Sequence, residues 1–243
     1  MGCNSSAPAS EPGARGGKGK GLTAKVEWKY FNGLGRGDPL HQMFEYHGQP
    51  HNKYGFDPFD GSWDKIKAEG GGGEFGGGLP QADLSCNGKT HNMGQFGAIL
   101  RSFGIRYGYY DPADWKCAMV VDPIIDTWAD VMNGLSKVLF GGGSQELIDE
   151  FCNGVFIKMV KLIERSLGKN NGKFLLGSKM SIGDFVAVCV IANILENPSS
   201  PVQAKCNELV NAANLPKFSV YRTAVTQECS AWLSKRPQPL PPL

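Results

Sequence analysis

The sequence predicts two domains in series: a small α/β domain built on a mixed sheet, followed by an all-helical domain. Apolar and charged residues alternate over 24–31, which is the period of a half-buried strand. Asn87-Gly88 lies between two short strand-like runs and predicts a β-hairpin. From about Asp114 onward, apolar residues recur only at helical spacing. A chain of 243 residues is long enough for two small domains.

A helix follows the first strand after a short turn. Asp38 can cap this helix, Pro39 fits its first turn, and Gly48 can end it. Between these signals, apolar side chains recur at helical spacing up to His47. A helix is therefore predicted over residues 38–47.

The rest of the first domain combines a glycine-rich stretch, a hairpin and a helix. Residues 70–78 are mostly glycine and predict a loop, because glycine has the greatest conformational freedom. The hairpin strands are predicted at 81–86 and 89–92, and a short helix that ends near Gly104 follows them. The predicted order is β-α-β-β-β-α, and only helices come after it.

Capping residues mark the ends of several helices in the second half of the chain. Ser181 can cap a helix while Asp184 reaches back to its start, which is a capping box. Gly168 can end the helix that precedes it. The predicted helices lie at about 121–135, 147–162, from 182 onward, 202–211 and 217–226.

Composition argues against several classes of function. The 25 basic and 23 acidic residues leave a net charge of +2, which gives no support to bulk binding of nucleic acid. No apolar run approaches the roughly 18 residues needed to span a bilayer, and none near the N-terminus predicts a secretory signal. Seven scattered cysteines without a C-x-x-C pair predict reduced thiols rather than disulfides or a zinc site. The four histidines show no metal-ligand spacing, and no metal is predicted.

Residues 1–22 are predicted to form a disordered tail, because they are rich in Gly, Ser, Ala and Pro and offer almost nothing to bury. The tail begins Met-Gly-Cys-Asn-Ser-Ser, which matches the N-myristoylation pattern with Gly2 as the acceptor. Cys3 could carry a palmitoyl group, the second anchor that stable attachment requires. We therefore expect a cytoplasmic protein tethered to the cytoplasmic face of a membrane. The alternative is a soluble leader in which the match arose by chance.

Five segments resemble, in the same order, segments of the glutathione transferase superfamily, in particular its sigma-like class and the hematopoietic prostaglandin D synthases. They are Tyr-Phe-Asn with Gly-Arg-Gly at 30–37, Gln-Phe-Gly-Ala-Ile-Leu-Arg at 95–101, Val-Asp-x-Ile-x-Asp-Thr at 121–127, Phe-Leu-Leu-Gly with the capping box at 174–185, and Ala-Trp-Leu with Lys-Arg-Pro at 231–237. The resemblance covers about residues 25–237. It implies the glutathione transferase fold, with a thioredoxin-like glutathione-binding domain over 23–106 and an all-helical domain with an electrophile pocket over 107–243. It also implies a homodimer.

The resemblance assigns two catalytic residues. A free thiol has a pKa near 8.5, and only its thiolate attacks well. Tyr30, at the end of the predicted strand, would donate a hydrogen bond to the thiolate sulfur of glutathione. The fixed positive charge of Arg36 would further favour that anion. The alternative for Tyr30 is a core tyrosine packed beside Trp28.

The resemblance also assigns residues that hold the glutathione peptide. Trp63 and Lys67 match positions near the glycyl carboxylate, as an indole N–H donor and an ammonium group on one helical face. Leu79 would pair its main chain with the cysteinyl residue of glutathione, as an added strand would. It precedes Pro80, which matches a cis-proline turn of the family, and the sequence leaves the proline isomer open.

The γ-glutamyl end of glutathione is assigned to a third group of residues. Gln95, at a predicted helix N-terminus, suits the γ-glutamyl carboxylate, and Asp130 matches an aspartate that reaches the γ-glutamyl amine across a dimer. Phe96 stands where the family has a serine hydroxyl, so only its backbone N–H can donate. Asp126 and Asp130 match part of an acidic cluster of the prostaglandin synthases, but Ala129 interrupts it.

The sequence thus predicts a sigma-like glutathione transferase that joins the glutathione thiolate to small hydrophobic electrophiles, a detoxification reaction. Two alternatives keep the same fold. One is a membrane-tethered binding or scaffold protein without catalysis, which the altered γ-glutamyl subsite favours. The other is a glutathione-dependent isomerase of the prostaglandin synthase type, with an electrophile pocket formed by residues such as Tyr109, Trp128 and Met132.

Overall fold

The computed structural model describes residues 24–33, 35–57, 60–71, 78–86, 88–169 and 172–236. The proposed acylation sites Gly2 and Cys3, and most of the glycine-rich stretch, lie outside these ranges. The described residues divide into two compact units. The sheet unit comprises 24–32 and 44–99, and the helical unit comprises 33–43 and 100–236.

The sheet unit contains a four-stranded mixed sheet in the order β2-β1-β3-β4. Its strands are β1 (Lys25–Phe31), β2 (His51–Phe56), β3 (Gln81–Cys86) and β4 (Lys89–Gly94). β1 runs parallel to β2 and antiparallel to β3, and β3 and β4 form the predicted hairpin. Every second side chain of β1 is buried, which confirms the predicted alternation. β4 runs two residues beyond its predicted end, because Gly94 still pairs with the first residue of β3.

Two short helices accompany the strands. Helix α1 (Asp38–His47) has the predicted bounds, and Gly48 follows it with the left-handed φ of 72° that ends such helices. Helix α2 (Ser62–Ala68) is missing from the predicted order, which is therefore corrected to β-α-β-α-β-β-α. With seven residues, α2 completes two turns, too few for a periodic apolar pattern to stand out.

Helix α3 (Phe96–Tyr107) corrects a second prediction, because it does not end near Gly104. A Cβ atom at position 104 would lie 2.5 Å from Cγ2 of Ile182 and 3.1 Å from Cβ of Tyr110. Gly104 therefore permits close packing inside the helix rather than ending it. The helix stops where Gly108 takes a left-handed φ of 79°.

The helical unit begins with the long helix α4 (Trp115–Phe140). The side chain of Asp114 caps it and accepts a hydrogen bond of 3.0 Å from the backbone N–H of Lys116. The apolar positions predicted for this helix are all buried, which confirms its periodicity. They are Val121, Ile124, Ile125, Trp128, Met132 and Leu135.

The helix predicted over 147–162 is interrupted. It consists of α5 (Gln145–Phe151), a π-helical segment (Cys152–Phe156) and α6 (Ile157–Leu167). Gly154 departs from helical geometry with φ −92° and ψ −106°, so the chain bends inside the predicted helix. The remaining elements are α7 (Ile182–Cys189), a second π-helical segment (Val190–Leu195), α8 (Gln203–Ala212), α9 (Pro216–Glu228) and α10 (Ser230–Leu233).

The capping box at the start of α7 is confirmed and extends beyond the sequence pattern. Buried Asp184 accepts hydrogen bonds from the backbone N–H and the hydroxyl of Ser181, both at 2.7 Å. It also accepts from the backbone N–H of Leu175 at 3.0 Å and from the hydroxyl of Tyr221 at 2.7 Å. Burial raises the pKa of this carboxyl, and the four donors offset part of the shift. Asp184 therefore joins α7, α9 and the turn before α7.

A second buried polar network fixes the start of α1 within the helical unit. Asn193 donates a hydrogen bond of 2.7 Å to Asp38, and Arg236 donates to the side-chain oxygen of the same Asn193. The guanidinium of Arg236 lies 3.8 Å from the Asp38 carboxylate and over the Trp232 ring. Because all three polar side chains are buried, each needs the others as partners.

Candidate functional site

Several of the predicted glutathione-binding residues meet at one end of the sheet. Tyr30 follows a β1 residue that pairs with Gln81, the first residue of β3. The last residue of β4 pairs with the same Gln81. Tyr30, Pro80 and Gln95 each lie one residue beyond these paired positions, so the sheet register places all three at the same end.

The ring of Tyr30 is held by aromatic neighbours. It stacks on the Trp28 ring at a centroid distance of 5.7 Å and an interplanar angle of 10°, and it contacts the Phe31 ring at 5.8 Å. Only 7% of the residue is exposed. The stacking on Trp28 is the contact that the core alternative predicts, and it also gives the phenol a fixed orientation at the end of β1.

Gln95 has an unusual backbone conformation directly before helix α3. Its φ of 67° lies in the left-handed region, which costs a residue other than glycine about 1–3 kcal/mol. Its carbonyl accepts the N–H of Ile99 at 3.0 Å, so Gln95 begins the hydrogen-bonding pattern of the helix. Gln95 is exposed, whereas Phe96 is buried, with an exposed fraction of 6%. Phe96 therefore offers its backbone rather than its ring to a ligand at this helix start.

Helix α2 places Trp63 at the same end of the sheet. Its ring lies 4.9 Å from the ring of Phe56, and Phe56 pairs with Phe31 at the ends of the parallel strands β2 and β1. Trp63 is buried, and Lys67 one turn later is exposed. The Lys67 ammonium pairs with Asp64 at 2.6 Å, a surface contact that a ligand carboxylate can replace at small cost.

The segment before β3 has the conformation that the resemblance implies. The peptide bond between Leu79 and Pro80 is cis. The side chain of Gln81 donates a hydrogen bond of 3.1 Å to the carbonyl of Gly78. Pro80 is buried and Leu79 is half-buried.

Arg36 and Asp130 belong to the helical unit. The guanidinium of Arg36 donates a hydrogen bond to the side-chain oxygen of Asn133 on α4. Exposed Asp130 lies one turn before Asn133 on the same helix. The two α4 residues line a cavity of about 260 Å³ together with Phe151 and Val155. Arg36 is thus fixed to α4 next to a cavity wall.

The residues suggested for an electrophile pocket lie elsewhere in this unit. Trp128 is fully buried, and Met132 is 5% exposed. The Tyr109 ring packs against Phe185 at 5.3 Å, and burial raises the pKa of Tyr109 to about 12. Two cavities formed by described residues of this unit are lined by other α4 positions, namely Thr127, Asp130, Asn133, Gly134 and Lys137.

Sequence reasoning missed Gly134 and Gly154, which line the cavity from opposite helices. A Cβ at position 134 would lie 3.0 Å from the Phe151 ring and 3.1 Å from Val155. Both glycines follow an asparagine within a helical pattern, in Asn133-Gly134 and Asn153-Gly154. An isolated glycine inside a helical pattern indicates close packing or function, and the sequence shows this signal at both positions.

The acidic residues near the start of α4 are engaged by an arginine. Arg101 contacts Asp122 at 2.8 Å and Asp126 at 3.0 Å. Burial lowers the pKa of Arg101, but the two carboxylates outweigh that effect and raise it. The hydroxyl of Tyr110 also donates to Asp122 at 3.0 Å. These contacts join α3 to α4 within the helical unit.

Among the described residues, no helix has the length and apolar character required to cross a membrane.

Comparison with known proteins finds a match for the helical part of the chain. A sequence profile described as "Glutathione S-transferase, C-terminal domain" matches residues 129–234. This match supports the resemblance to the glutathione transferase superfamily. A comparison with curated protein sequences gave no significant match.

Three similar solved structures show that the transferase fold extends over both units. A sigma-class glutathione transferase from Fasciola hepatica is 21% identical with a TM-score of 0.70, and 88% of this chain covers 98% of that one. Prostaglandin synthase D of Nilaparvata lugens is 22% identical with a TM-score of 0.63 and coverages of 88% and 100%. A monomeric glutathione S-transferase from Necator americanus is 21% identical with a TM-score of 0.67 and coverages of 88% and 98%. The predicted glutathione transferase fold, α/β and then all-helical, is confirmed.

Proposed function

We propose that this protein binds glutathione at the sheet end marked by Tyr30 and joins the glutathione thiolate to small hydrophobic electrophiles. The observation that carries the proposal is the convergence of Tyr30, Pro80 and Gln95, which are far apart in sequence, at one end of the sheet. Trp63 reaches the same end through its contact with Phe56. The match of residues 129–234 to the C-terminal domain of glutathione S-transferases supports glutathione as the substrate.

In the proposed mechanism, the hydroxyl of Tyr30 donates a hydrogen bond to the sulfur and stabilises the thiolate relative to the thiol. A decrease of the thiol pKa by about two units corresponds to roughly 2.7 kcal/mol of preferential anion stabilisation. The stacking of Tyr30 on Trp28 supports this role, because a fixed donor loses little entropy when it binds the sulfur. The thiolate then attacks the electrophile, and the leaving group departs or the adduct takes up a proton from water.

The remaining residues are proposed to hold the peptide. The backbone N–H groups at the start of α3 and the side chain of Gln95 bind the γ-glutamyl carboxylate, since a helix N-terminus attracts anions. Trp63 and Lys67 bind the glycyl carboxylate, and the main chain of Leu79 pairs with the cysteinyl residue. This assignment makes residues 23–106 the glutathione-binding domain and leaves the electrophile pocket to 107–243.

Two residues of the helical unit complete the proposal. The fixed charge of Arg36, oriented by its hydrogen bond to Asn133, favours the thiolate. Exposed Asp130 binds the γ-glutamyl amine of glutathione held by a second copy, which requires a homodimer. The structural neighbour from Necator americanus is described as monomeric, so sedimentation or light scattering of this chain is the direct check of that last point.

One alternative activity is favoured by a specific observation. A structural neighbour from Nilaparvata lugens is described as a prostaglandin synthase. A glutathione-dependent isomerase uses the same thiolate and releases it at the end of the reaction. Consumption of glutathione therefore separates the two activities, because a transferase uses one glutathione for each product and an isomerase regenerates it.

Calorimetric titration with glutathione and turnover of a chloronitrobenzene test the proposal together. We expect saturable binding of glutathione in the micromolar to millimolar range and a rate of conjugation that depends on both substrates. Gln95→Ala should weaken glutathione binding about tenfold and leave the melting temperature unchanged, because Gln95 is exposed. Binding without turnover would support the scaffold alternative. An absence of binding by the folded protein would contradict the proposal.

We also propose that the N-terminal tail attaches the protein to membranes through myristoyl at Gly2 and palmitoyl at Cys3. Gly2→Ala removes the acceptor amine and should move most of the full-length protein from the membrane to the cytosolic fraction of a eukaryotic cell. Cell fractionation with a radiolabelled or clickable myristate measures both attachment and position. Ser10→Ala in the same tail is the matched control. An unchanged distribution of Gly2→Ala would rule out acylation as the anchor.

A further inference from the structure

Two buried cysteines of the helical unit lie in direct contact. The sulfur atoms of Cys152 and Cys206 are 3.4 Å apart, and both residues have no exposed surface. They are separated by 54 positions in the sequence. Cys152 begins the π-helical segment, and Cys206 lies near the middle of α8. Packing of α8 against the π-helical segment brings the two thiols together.

We propose that Cys152 and Cys206 form a redox-active pair that a hydroperoxide converts to a disulfide. A disulfide bond is about 2.05 Å long, so the sulfur atoms need to approach by roughly 1.4 Å from their 3.4 Å separation. In the reduced state, each thiol is the hydrogen-bond partner of the other.

The environment distinguishes the two sulfur atoms chemically. The hydrogen bond from Cys206 lowers the pKa of the Cys152 thiol, and burial acts against it. Burial raises the pKa of Cys206 far above its ordinary value. Lys205 and Asp149 are the charged groups near Cys152, and they act in opposite directions on it. We assign the role of nucleophile to Cys152 because its sequence neighbours Phe151 and Gly154 line the cavity of about 260 Å³.

The chemistry balances with one hydroperoxide. The Cys152 thiol gives its proton to water, and its thiolate attacks the peroxide oxygen. A sulfur–oxygen bond forms, and the oxygen–oxygen bond breaks to release an alkoxide or hydroxide ion, which takes up a proton from water. The Cys206 sulfur then attacks the Cys152 sulfur, the sulfur–sulfur bond forms, and hydroxide leaves and takes the Cys206 proton as water. The peroxide gains two electrons, and each sulfur loses one.

In this proposal, the peroxide reaches the two cysteines through the bend at Gly154 in the π-helical segment. Phe151 and Gly154, on either side of Cys152 in the sequence, both line the cavity of about 260 Å³, which is far larger than a peroxide molecule. Gly154 lacks helical dihedral angles, so the backbone hydrogen bonding around Cys152 is already irregular. Local opening of this segment needs the loss of fewer regular hydrogen bonds than opening of α4 or α6.

Peptide mapping of the full-length wild-type protein tests the proposal without any substitution. The reduced protein is treated with a small excess of hydrogen peroxide, free thiols are alkylated in denaturant, and the unreduced digest is analysed by mass spectrometry. We expect the peptides that contain Cys152 and Cys206 to appear as one linked species, two hydrogens lighter than their sum. Dithiothreitol should separate them. The linked form should melt several degrees higher, because it closes a long loop.

Matched variants keep the test specific. Cys117→Ala removes another buried thiol, on α4, and should leave the linkage unchanged. Cys206→Ala should abolish the linkage and leave peroxide-treated Cys152 as a sulfenic or sulfinic acid. A folded wild-type protein whose two peptides stay unlinked, or whose main disulfide joins other cysteines, would overturn the proposal. Glutathione takes no part in this experiment, so its outcome is independent of the proposed transferase activity.

Discussion

Replacement of Tyr30 by phenylalanine is expected to lower the rate of conjugation at least tenfold while the fold stays intact. The substitution removes only the hydroxyl, and the stack on Trp28 is preserved because the ring remains. A tenfold loss corresponds to about 1.4 kcal/mol of transition-state stabilisation, which one hydrogen bond to a charged sulfur can supply. Steady-state kinetics with glutathione and a chloronitrobenzene measure the effect.

The pH dependence adds a second readout for the same variant. If the Tyr30 hydroxyl lowers the thiol pKa of bound glutathione, its removal raises that pKa. The rise of the conjugation rate with pH then shifts to higher pH. The difference between variant and wild type should therefore be largest near neutral pH and should shrink above the pKa of free thiols, near 8.5. Tyr46→Phe, at a surface position of α1 in the sheet unit, is the matched control and should behave as wild type. Identical pH profiles for wild type and Tyr30→Phe would remove Tyr30 from the mechanism.

The largest loss of stability is expected for Asp184→Ala. Asp184 is fully buried and is the shared acceptor of four hydrogen-bond donors, which the substitution leaves without it. These donors are the backbone N–H and hydroxyl of Ser181, the backbone N–H of Leu175 and the hydroxyl of Tyr221. It also removes the Asp184 side chain from the capping box of α7, and loss of a helix cap costs about 1–2 kcal/mol. Because unsatisfied buried donors cost about 1–3 kcal/mol each before relaxation, we expect the free energy of unfolding to fall by at least 3 kcal/mol. Urea denaturation followed by circular dichroism measures this change.

Graded controls separate the network from a general effect of substitution. Tyr221→Phe removes one donor and leaves the carboxylate with three, so it should cost about 1 kcal/mol. Glu208→Ala removes a surface partner of Lys205 and should leave the denaturation midpoint unchanged. A midpoint for Asp184→Ala close to that of Glu208→Ala would contradict the central structural role assigned to Asp184.

Local signals in the sequence were sufficient where a structure depends on neighbouring residues. The alternation along β1 predicted which side chains are buried, because successive residues of a strand point to opposite faces. Gly48 marked the end of α1, and Ser181 with Asp184 marked the start of α7. Each of these signals satisfies or ends backbone hydrogen bonding within a few residues, so the sequence alone carries the information.

Local signals were not sufficient where contacts with distant residues determine the structure. Gly104 was predicted to end α3, but Ile182, 78 positions later, approaches so closely that only glycine fits. Gly154 was included in a continuous helix, although the chain bends there. Trp128 and Met132 were suggested for a pocket, and both are buried. Their role in a pocket stays a prediction, because helical periodicity shows which face is apolar and not what covers it.

The sequence by itself determined the order of most elements, the superfamily resemblance and the identity of the candidate site residues, since these follow from local pattern and motif. Only the tertiary structure decided that Tyr30, Pro80 and Gln95 share one end of a sheet, because strand register depends on pairings between distant segments. The contact between Cys152 and Cys206 likewise exists only through helix packing, which no local pattern specifies.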